Sequence, residues 1–394
     1  MVSTKHCDLA IAGGGLAGGM IALALAMRRP ELRVVLVDQG ETIGGEGHIW
    51  AFRHDDVADA HRWLLAPLVG HGWRGYDIAL PGRRRRFGTP VYAVHSERLD
   101  EAVRRAMPAH TILTGRKIVA ANKTTLLIDG GDRVQAKAVI DARGAGDLKR
   151  LDIAWRTCVA ETLRLTESHG LERPIWVDAT IDQSAGPRHL RILPLDADIV
   201  RIEDVALADT PEADGEASGA RIAEYAAAKG WTVAETQRSE AGALPLALGG
   251  DFDAYWQSGA KDVAKAGLRA GLFHPATGLS LPDAVRTAAF VAHLGNPASR
   301  TVHEAMRNFA HESWDARRPY RLFARMLMQA ADADRRAARF RRFHEGRRTM
   351  IERFHAMRST RADRWRLIAR CRLPLGQMLA AMRDGNSGHA GGRA

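Results

Sequence analysis

The segment from Asp8 to Asp38 constrains the fold of this chain more than any other. Leu9-Ala10-Ile11-Ala12 is a short apolar run of buried-strand type, and Gly13-Gly14-Gly15-Leu16-Ala17-Gly18 fits G-x-G-x-x-G. Met20 to Met27 then reads as helix, and Val34-Val35-Leu36-Val37 is a second strand closed by Asp38. Strand, glycine turn, helix and strand in this order make a βαβ unit that binds a dinucleotide. Gly13 permits the tight turn, Gly15 lets the backbone approach a pyrophosphate, and Gly18 lets the helix close on the strand. The helix N-terminus turns amide donors and the positive end of its dipole toward the phosphates. Asp38 is expected to accept hydrogen bonds from the ribose hydroxyls. The nineteen uncharged positions from Leu9 to Met27 approach the length of a membrane span, but five are glycine and Asp8 precedes them, so they read as a soluble element.

At 394 residues the chain has room for two to three domains. A hairpin-like stretch from Thr111 to Gln135, turning at Gly130-Gly131-Asp132, leads into the buried strand Ala138-Val139-Ile140-Asp141-Ala142 before Arg143-Gly144. The middle of the chain is rich in strand patterns, such as Ile175 to Thr180 and Ile199 to Asp204. From Val302 onward the pattern is helical, with Leu322, Phe323, Met326, Leu327 and Ala330 on one face and Arg321 and Arg325 on the other. The expected fold class is therefore α/β. A discontinuous Rossmann-type dinucleotide domain occupies 5–150 and 265–300, and a second, mixed β-sheet substrate domain occupies 151–264. A helical, Arg-rich, membrane-proximal region follows at 301–382, then a flexible tail at 383–394.

Cys7, Cys158 and Cys371 show no metal-ligand or disulfide spacing, which points to core thiols in a reducing compartment and to no metal. The formal net charge is +11, and eighteen arginines fall between Arg317 and Arg372. These are either solvated helix faces or a surface for an anionic partner. No helix-turn-helix, zinc or RNA-binding signature accompanies the charge, so nucleic acid is not expected.

Gly44-Gly45, shortly after Asp38, and Gly267 to Gly278, which includes Gly271, His274 and Pro275, favour FAD over NAD. The second segment resembles the flavin-side segment of the hydroxylase-like two-domain flavoproteins, although Leu272 stands where that fold usually has Asp. Arg143 contacts either a cofactor phosphate or solvent. More specific matches are Trp50-Ala51-Phe52 with His54-Asp55-Asp56, Arg83 to Arg86, Asp178 to Gln183, Leu193-Pro194-Leu195, Ile202-Glu203-Asp204, Gly242-Ala243-Leu244-Pro245 and Gly267 through Pro282. On these residues the chain resembles the bacterial FAD-dependent lycopene β-cyclases over nearly its whole length.

That resemblance implies a redox-neutral isomerisation. A ψ end group of a carotene is protonated, the cation closes a six-membered ring, and proton loss leaves a β-ionone ring, taking lycopene through γ-carotene to β-carotene. It implies reduced FAD as cofactor, NAD(P)H as reductant, and a lipophilic carotene taken from the membrane. The protein is accordingly expected in the cytoplasm, attached peripherally to the inner face of the membrane.

Protonating an alkene needs a well-placed acid in a dry pocket. The resemblance places an essential Glu at Glu203 with Asp204 in support, and the apolar neighbours Ile199, Val200 and Ile202 predict a raised pKa through burial. The residues alone favour a strand-edge carboxylate paired with Arg201, an order that the resemblance reverses. His274 either orients the flavin and helps move a proton or is a hydrogen-bonded structural histidine. The chain departs from the family's common aromatics at His189, Arg191 and Leu279, from a common Thr at Val205, and from Phe-Tyr at Phe343-His344 and Phe354-His355. A flavin monooxygenase acting on a hydrophobic substrate shares the fold and the glycine motif and is the alternative enzyme. A flavoprotein that only sequesters carotenoid is the non-enzymatic alternative.

Overall fold

The computed structural model describes residues 3–328 and 332–371. Ala330, the side chain of Cys371, the last part of the expected helical region and the expected tail at 383–394 lie outside the described residues.

The chain opens with β1 (Thr4–Ala12), α1 (Leu16–Arg28) and β2 (Val34–Val37), the expected βαβ unit. Then come β3 (Ile49–Arg53), β4 (Val69–Trp73), β5 (Tyr76–Leu80), β6 (Arg83–Phe87), β7 (Val91–His95) and α2 (Ser96–Ala106). A run of strands follows: β8 (Ile112–Leu113), β9 (Ile118–Ala121), β10 (Thr125–Ile128), β11 (Arg133–Asp141), β12 (Leu151–Leu165), β13 (Ile175–Asp178), β14 (Arg188–Pro194) and β15 (Ile199–Ala208). Beyond them lie α3 (Gly215–Ala228), β16 (Val233–Gly250), α4 (Phe252–Gln257), β17 (Ala264–Lys265) and α5 (Leu281–Ala292). The chain then turns helical through α6 (Ser299–Ala316), α7 (Arg318–Met328), α8 (Ala333–His344), α9 (Arg348–His355) and α10 (Arg361–Cys371).

Among the described residues there are three sheets. The first has the order β8-β2-β1-β11-β10-β9, with β17 also paired to β11. Its centre is parallel, β1 lying between β2 and β11, and such strands, covered on both faces, read as continuous apolar runs. The second runs β16-β12-β15-β14-β13-β5-β6, and the third is the small β3-β7-β4.

Two features differ from the sequence expectation. The hairpin β5-β6 belongs to the second sheet, joined through the parallel pair β5-β13, although it falls inside the 5–150 span. An apolar strand carries no mark of which sheet it will extend, because pairing is decided by what lies beside it in space. The second difference is that α6 packs on β11 and β17 of the first sheet, while α7, α8 and α9 roof the second sheet through a core that includes Phe323, Leu327, Phe340, Phe343 and Phe354. The region 301–371 is thus a structural wall of the molecule.

The arginines of this region follow from that placement. Arg321 and Arg325, expected on a solvated face, are buried. Arg321 stacks on the Trp314 ring, 3.8 Å from its centroid, and donates to the Trp314 carbonyl, while Arg325 donates to the Leu248 carbonyl at 2.6 Å. Arg317 donates to the Phe273 carbonyl and pairs with buried Asp283, and Arg339 donates to the Met326 carbonyl. A guanidinium offers five donors in a fixed fork, which suits it to carbonyls left unpaired where helices and strands end.

Candidate active site

The glycine turn has the geometry its motif predicts. Gly13 adopts φ +99°, a left-handed value, and a Cβ on Gly18 would lie 1.8 Å from the Gly13 carbonyl oxygen, so only glycine lets α1 approach β1 this closely. Around Gly15 there is open space. Gly15 is also the N-cap of α1, with no side-chain cap and no acid in the first turn, so the amides there are open to an anion. The Gly14 and Gly40 amides donate to Asp38 at 2.5 and 2.7 Å and orient its carboxylate beside the turn. Gly44 and Gly45 both have positive φ, and the Gly44 amide donates to the Gly14 carbonyl at 2.7 Å, which ties the two glycine turns together. The combination of an open glycine, uncapped amides and a fixed carboxylate fits the pyrophosphate and ribose of a dinucleotide.

Not every expected cofactor residue points there. Arg143 forms a two-pronged pair with Asp141, 2.9 Å from each oxygen, and its own carbonyl accepts from Arg269. It is engaged within its own turn. Gly144 is left-handed, with open space around it. Gly271 ends a short 3-10 turn in the left-handed conformation, and Gly278, also left-handed, sits where a Cβ would lie 2.7 Å from that of Leu244. These glycines shape the segment before α5, whose N-terminus (Ser280, Leu281, Pro282) also lacks a side-chain cap.

Both helix N-termini open on one cavity of about 450 Å³, bounded by Gly15, Leu16, Gly44, Trp50, Glu203 and Pro282 among others. A second, narrower cavity of about 70 Å³ lies beside it beneath the helical roof, lined by Trp176, His189, Phe323, Phe340, Phe343 and Phe354. Arg156, Arg191, Thr277, Leu279 and His355 line both. Only 6% of the chain is aromatic, yet the fold gathers five of these residues around this second cavity. Their spacing along the sequence carries no sign of that.

Glu203 projects from β15 into the main cavity, with its side chain 2% exposed. Arg191, its cross-strand partner on β14, donates through Nε at 2.8 Å, and Arg201 donates at 3.1 Å. Arg156 of β12 stands 3.8 Å away. Burial raises the Glu203 pKa, as the sequence suggested, but Arg191, Arg201 and Arg156 outweigh it and hold the carboxyl at about 2. Glu203 is therefore ionised here, a correction to the expected raised pKa. Arg201 also binds Glu240 at 3.1 Å. Arg238 binds Glu240 as well, at 3.1 Å, and Glu97 at 3.6 Å, so four guanidiniums face three carboxylates, a surplus of one positive charge that suits the cavity to an anionic group.

Asp204 is the next residue on the strand and so faces the opposite side of the sheet. There it binds Arg188 at 2.6 Å and Arg221 of α3 at 2.9 Å. It does not support Glu203 directly. His274 borders the cavity, but its Nε2 donates to the Phe354 carbonyl at 3.2 Å and its Nδ1 accepts from the Ala276 amide at 3.1 Å. Burial lowers its pKa to about 4, so the ring is neutral and fully engaged, which is the structural alternative. Cys158 also lines the cavity, and its thiol is pushed up to about 11 by burial and by Glu203. Sequence reasoning passed over Arg156, read Cys158 only as a core thiol and His355 only as a departure from the family's Phe-Tyr, because all three reach the site through strand pairing and the helical roof.

Residues 8–382 match the family model described as "Lycopene cyclase protein". The chain is 38% identical over 340 residues to a lycopene β-cyclase from Pantoea ananas, covering 86% of this chain and 88% of that protein. Among solved structures it is similar to a geranylgeranyl bacteriochlorophyll reductase-like protein from Thermoplasma acidophilum, with TM-score 0.63 at 12% identity, covering 97% of this chain and 100% of the other. It is also similar to a halogenase in complex with FAD, with TM-score 0.61 at 13% identity, covering 97% of this chain and 94% of the other. At these identities the structural likenesses establish the fold.

The charge balance makes a stability prediction. Removing one member of a buried ion cluster costs about 3–5 kcal/mol, because the remaining charges lose their compensation. Glu203→Gln is expected to lose about that much in denaturant unfolding, whereas Glu203→Gln with Arg191→Leu, which keeps the surplus at one, recovers most of it. Equal instability of the two variants would show that the cluster does not act as a unit.

Proposed function

The chain belongs to the lycopene cyclase family, and we propose that it closes β-ionone rings on the ψ end groups of acyclic carotenes such as lycopene. The observation that carries this reading is the convergence of two uncapped helix N-termini and a buried carboxylate on one cavity, with an aromatic cavity beside it. The reaction is an intramolecular isomerisation, so substrate and product have the same mass.

Glu203 delivers the proton. The guanidiniums around it make a carboxyl that is rarely loaded but strongly acidic once loaded. From a pKa of about 2, placing a proton there at pH 7 costs about 7 kcal/mol, a fraction of an ordinary enzymatic barrier. The aromatic side chains beside the main cavity would shield the end group from the water that would trap a cation, and each ring face that meets the cation contributes about 0.5–2 kcal/mol. Gly13, Gly15, Gly18, Asp38, Gly44 and Gly45 would hold FAD, with the N-terminus of α5 near its ring end. Reduced FAD, when bound, supplies negative charge beside the cation and offsets the surplus guanidinium. NADH or NADPH is the proposed reductant.

No helix among the described residues is long and apolar enough to cross a membrane. We assign uptake of the hydrocarbon to a peripheral membrane contact through α10 and its neighbours, where Trp365 is 68% exposed and Arg347, Arg348, Arg364 and Arg366 are exposed as well. An interfacial Trp with near-surface arginines, each worth about 1 kcal/mol, suits an anionic bilayer.

Three measurements test this reading. Lycopene incubated with the protein, FAD and NADPH should give products of unchanged mass with cyclic ends, both anaerobically and in air, with no stoichiometric consumption of nicotinamide. A product formed only in air, with a gain of one oxygen and matching consumption of NADPH and O2, would instead identify a monooxygenase. Because Arg191 depresses the Glu203 pKa, Arg191→Leu raises it, so the fall of kcat with rising pH should begin at higher pH than in the parent; an unmoved profile would remove Glu203 as the acid. Binding to vesicles rich in anionic lipid should weaken with added salt and with Trp365→Ala, and binding indifferent to both would exclude this docking face.

A further inference from the structure

Ring closure needs a base as well as an acid. Once the ring bond has formed, a C–H bond at the ring-junction carbon must break, leaving its electron pair as the ring double bond. We propose that His355 is the catalytic base that receives this proton at Nε2. The inference rests on the cyclase reading above.

His355 lines both the main cavity, where Glu203 lies, and the aromatic cavity beside it, so its ring stands on the wall that the two share. Its Nε2 is shielded from solvent and has no hydrogen-bond partner in the protein. The other groups nearby are less suited. Glu203 is held by arginines, and His274 has both ring nitrogens committed to backbone groups. Burial, with Arg53, His274, His344 and His189 nearby, lowers the His355 pKa and keeps the ring neutral, so it takes a proton only from a strong acid such as a carbocation. His355 is also the last residue of α9, where the negative end of the helix dipole favours a cation once the proton has arrived. Met357, two residues on, holds a left-handed backbone at φ +54° and borders the same cavity, so the chain turns sharply at this wall. The step balances without an oxidant. The proton gained at the chain end and the proton lost to His355 cancel, and His355 passes its proton out through the main cavity before the next turnover.

The position of proton loss decides the product. Loss from the ring junction gives a β ring, whereas loss from the neighbouring ring methylene or the ring methyl gives an isomer with a displaced double bond. His355→Phe and His355→Gln, assayed as full-length protein with reduced FAD and lycopene, are expected to bind FAD as the parent does. Ring formation should slow by roughly 10²-fold, and the residual product should contain displaced-double-bond rings. Imidazole added to His355→Ala should restore part of the rate and of the β selectivity. Parental rates and purely β rings from either the Phe or the Gln variant would overturn the assignment. Failure of the parent protein itself to form any ring would instead remove the cyclase reading.

Discussion

A carboxylate buried among three guanidiniums governs what the cavity of this protein can do. Glu203, Arg191, Arg201 and Arg156 come from three adjacent strands, and their side chains are almost fully removed from water. In such surroundings each charge is tolerated only because the others are present. The cluster therefore holds β12, β14 and β15 in register while fixing Glu203 as an anion. Stability and acidity rest on the same contacts, so a substitution there changes both. The surplus positive charge that remains makes an anionic cofactor an electrostatic complement to the site.

The cofactor cradle is built on a different principle, the absence of side chains. Gly18 lets α1 settle against the Gly13 carbonyl, and Gly15 leaves space in front of uncapped amides. The second glycine turn is bonded to the first through Gly44 and Gly14, so the two turns form one rigid rim. The start of α5, which also lacks a side-chain cap but carries Pro282 and buried Asp283 in its first turn, borders the same cavity.

The arginine-rich C-terminal region divides into two populations. Arg317, Arg321, Arg325 and Arg339 point inward and donate to backbone carbonyls. Others, including Arg347, Arg364 and Arg366, remain at the surface around Trp365. The inward group holds α7 and α8 down on the second sheet, and these helices with α9 supply most of the aromatic lining of the second cavity.

The sequence by itself determined the α/β class, the dinucleotide turn and the place of Glu203 on a buried strand, because each depends on local features: glycines where no Cβ fits, apolar runs of strand length, and a carboxylate flanked by isoleucine and valine. It also carried the resemblance by which the family is known. Tertiary structure alone decided that Glu203 is ionised, that Asp204 turns away from it, that β5 and β6 join the second sheet, and that Phe323, Phe340, Phe343, Phe354 and His355 close over the cavity. The reason is physical. A pKa and a cavity wall depend on which charges and rings approach across strands and helices far apart in the chain, and no residue type or spacing records those distances.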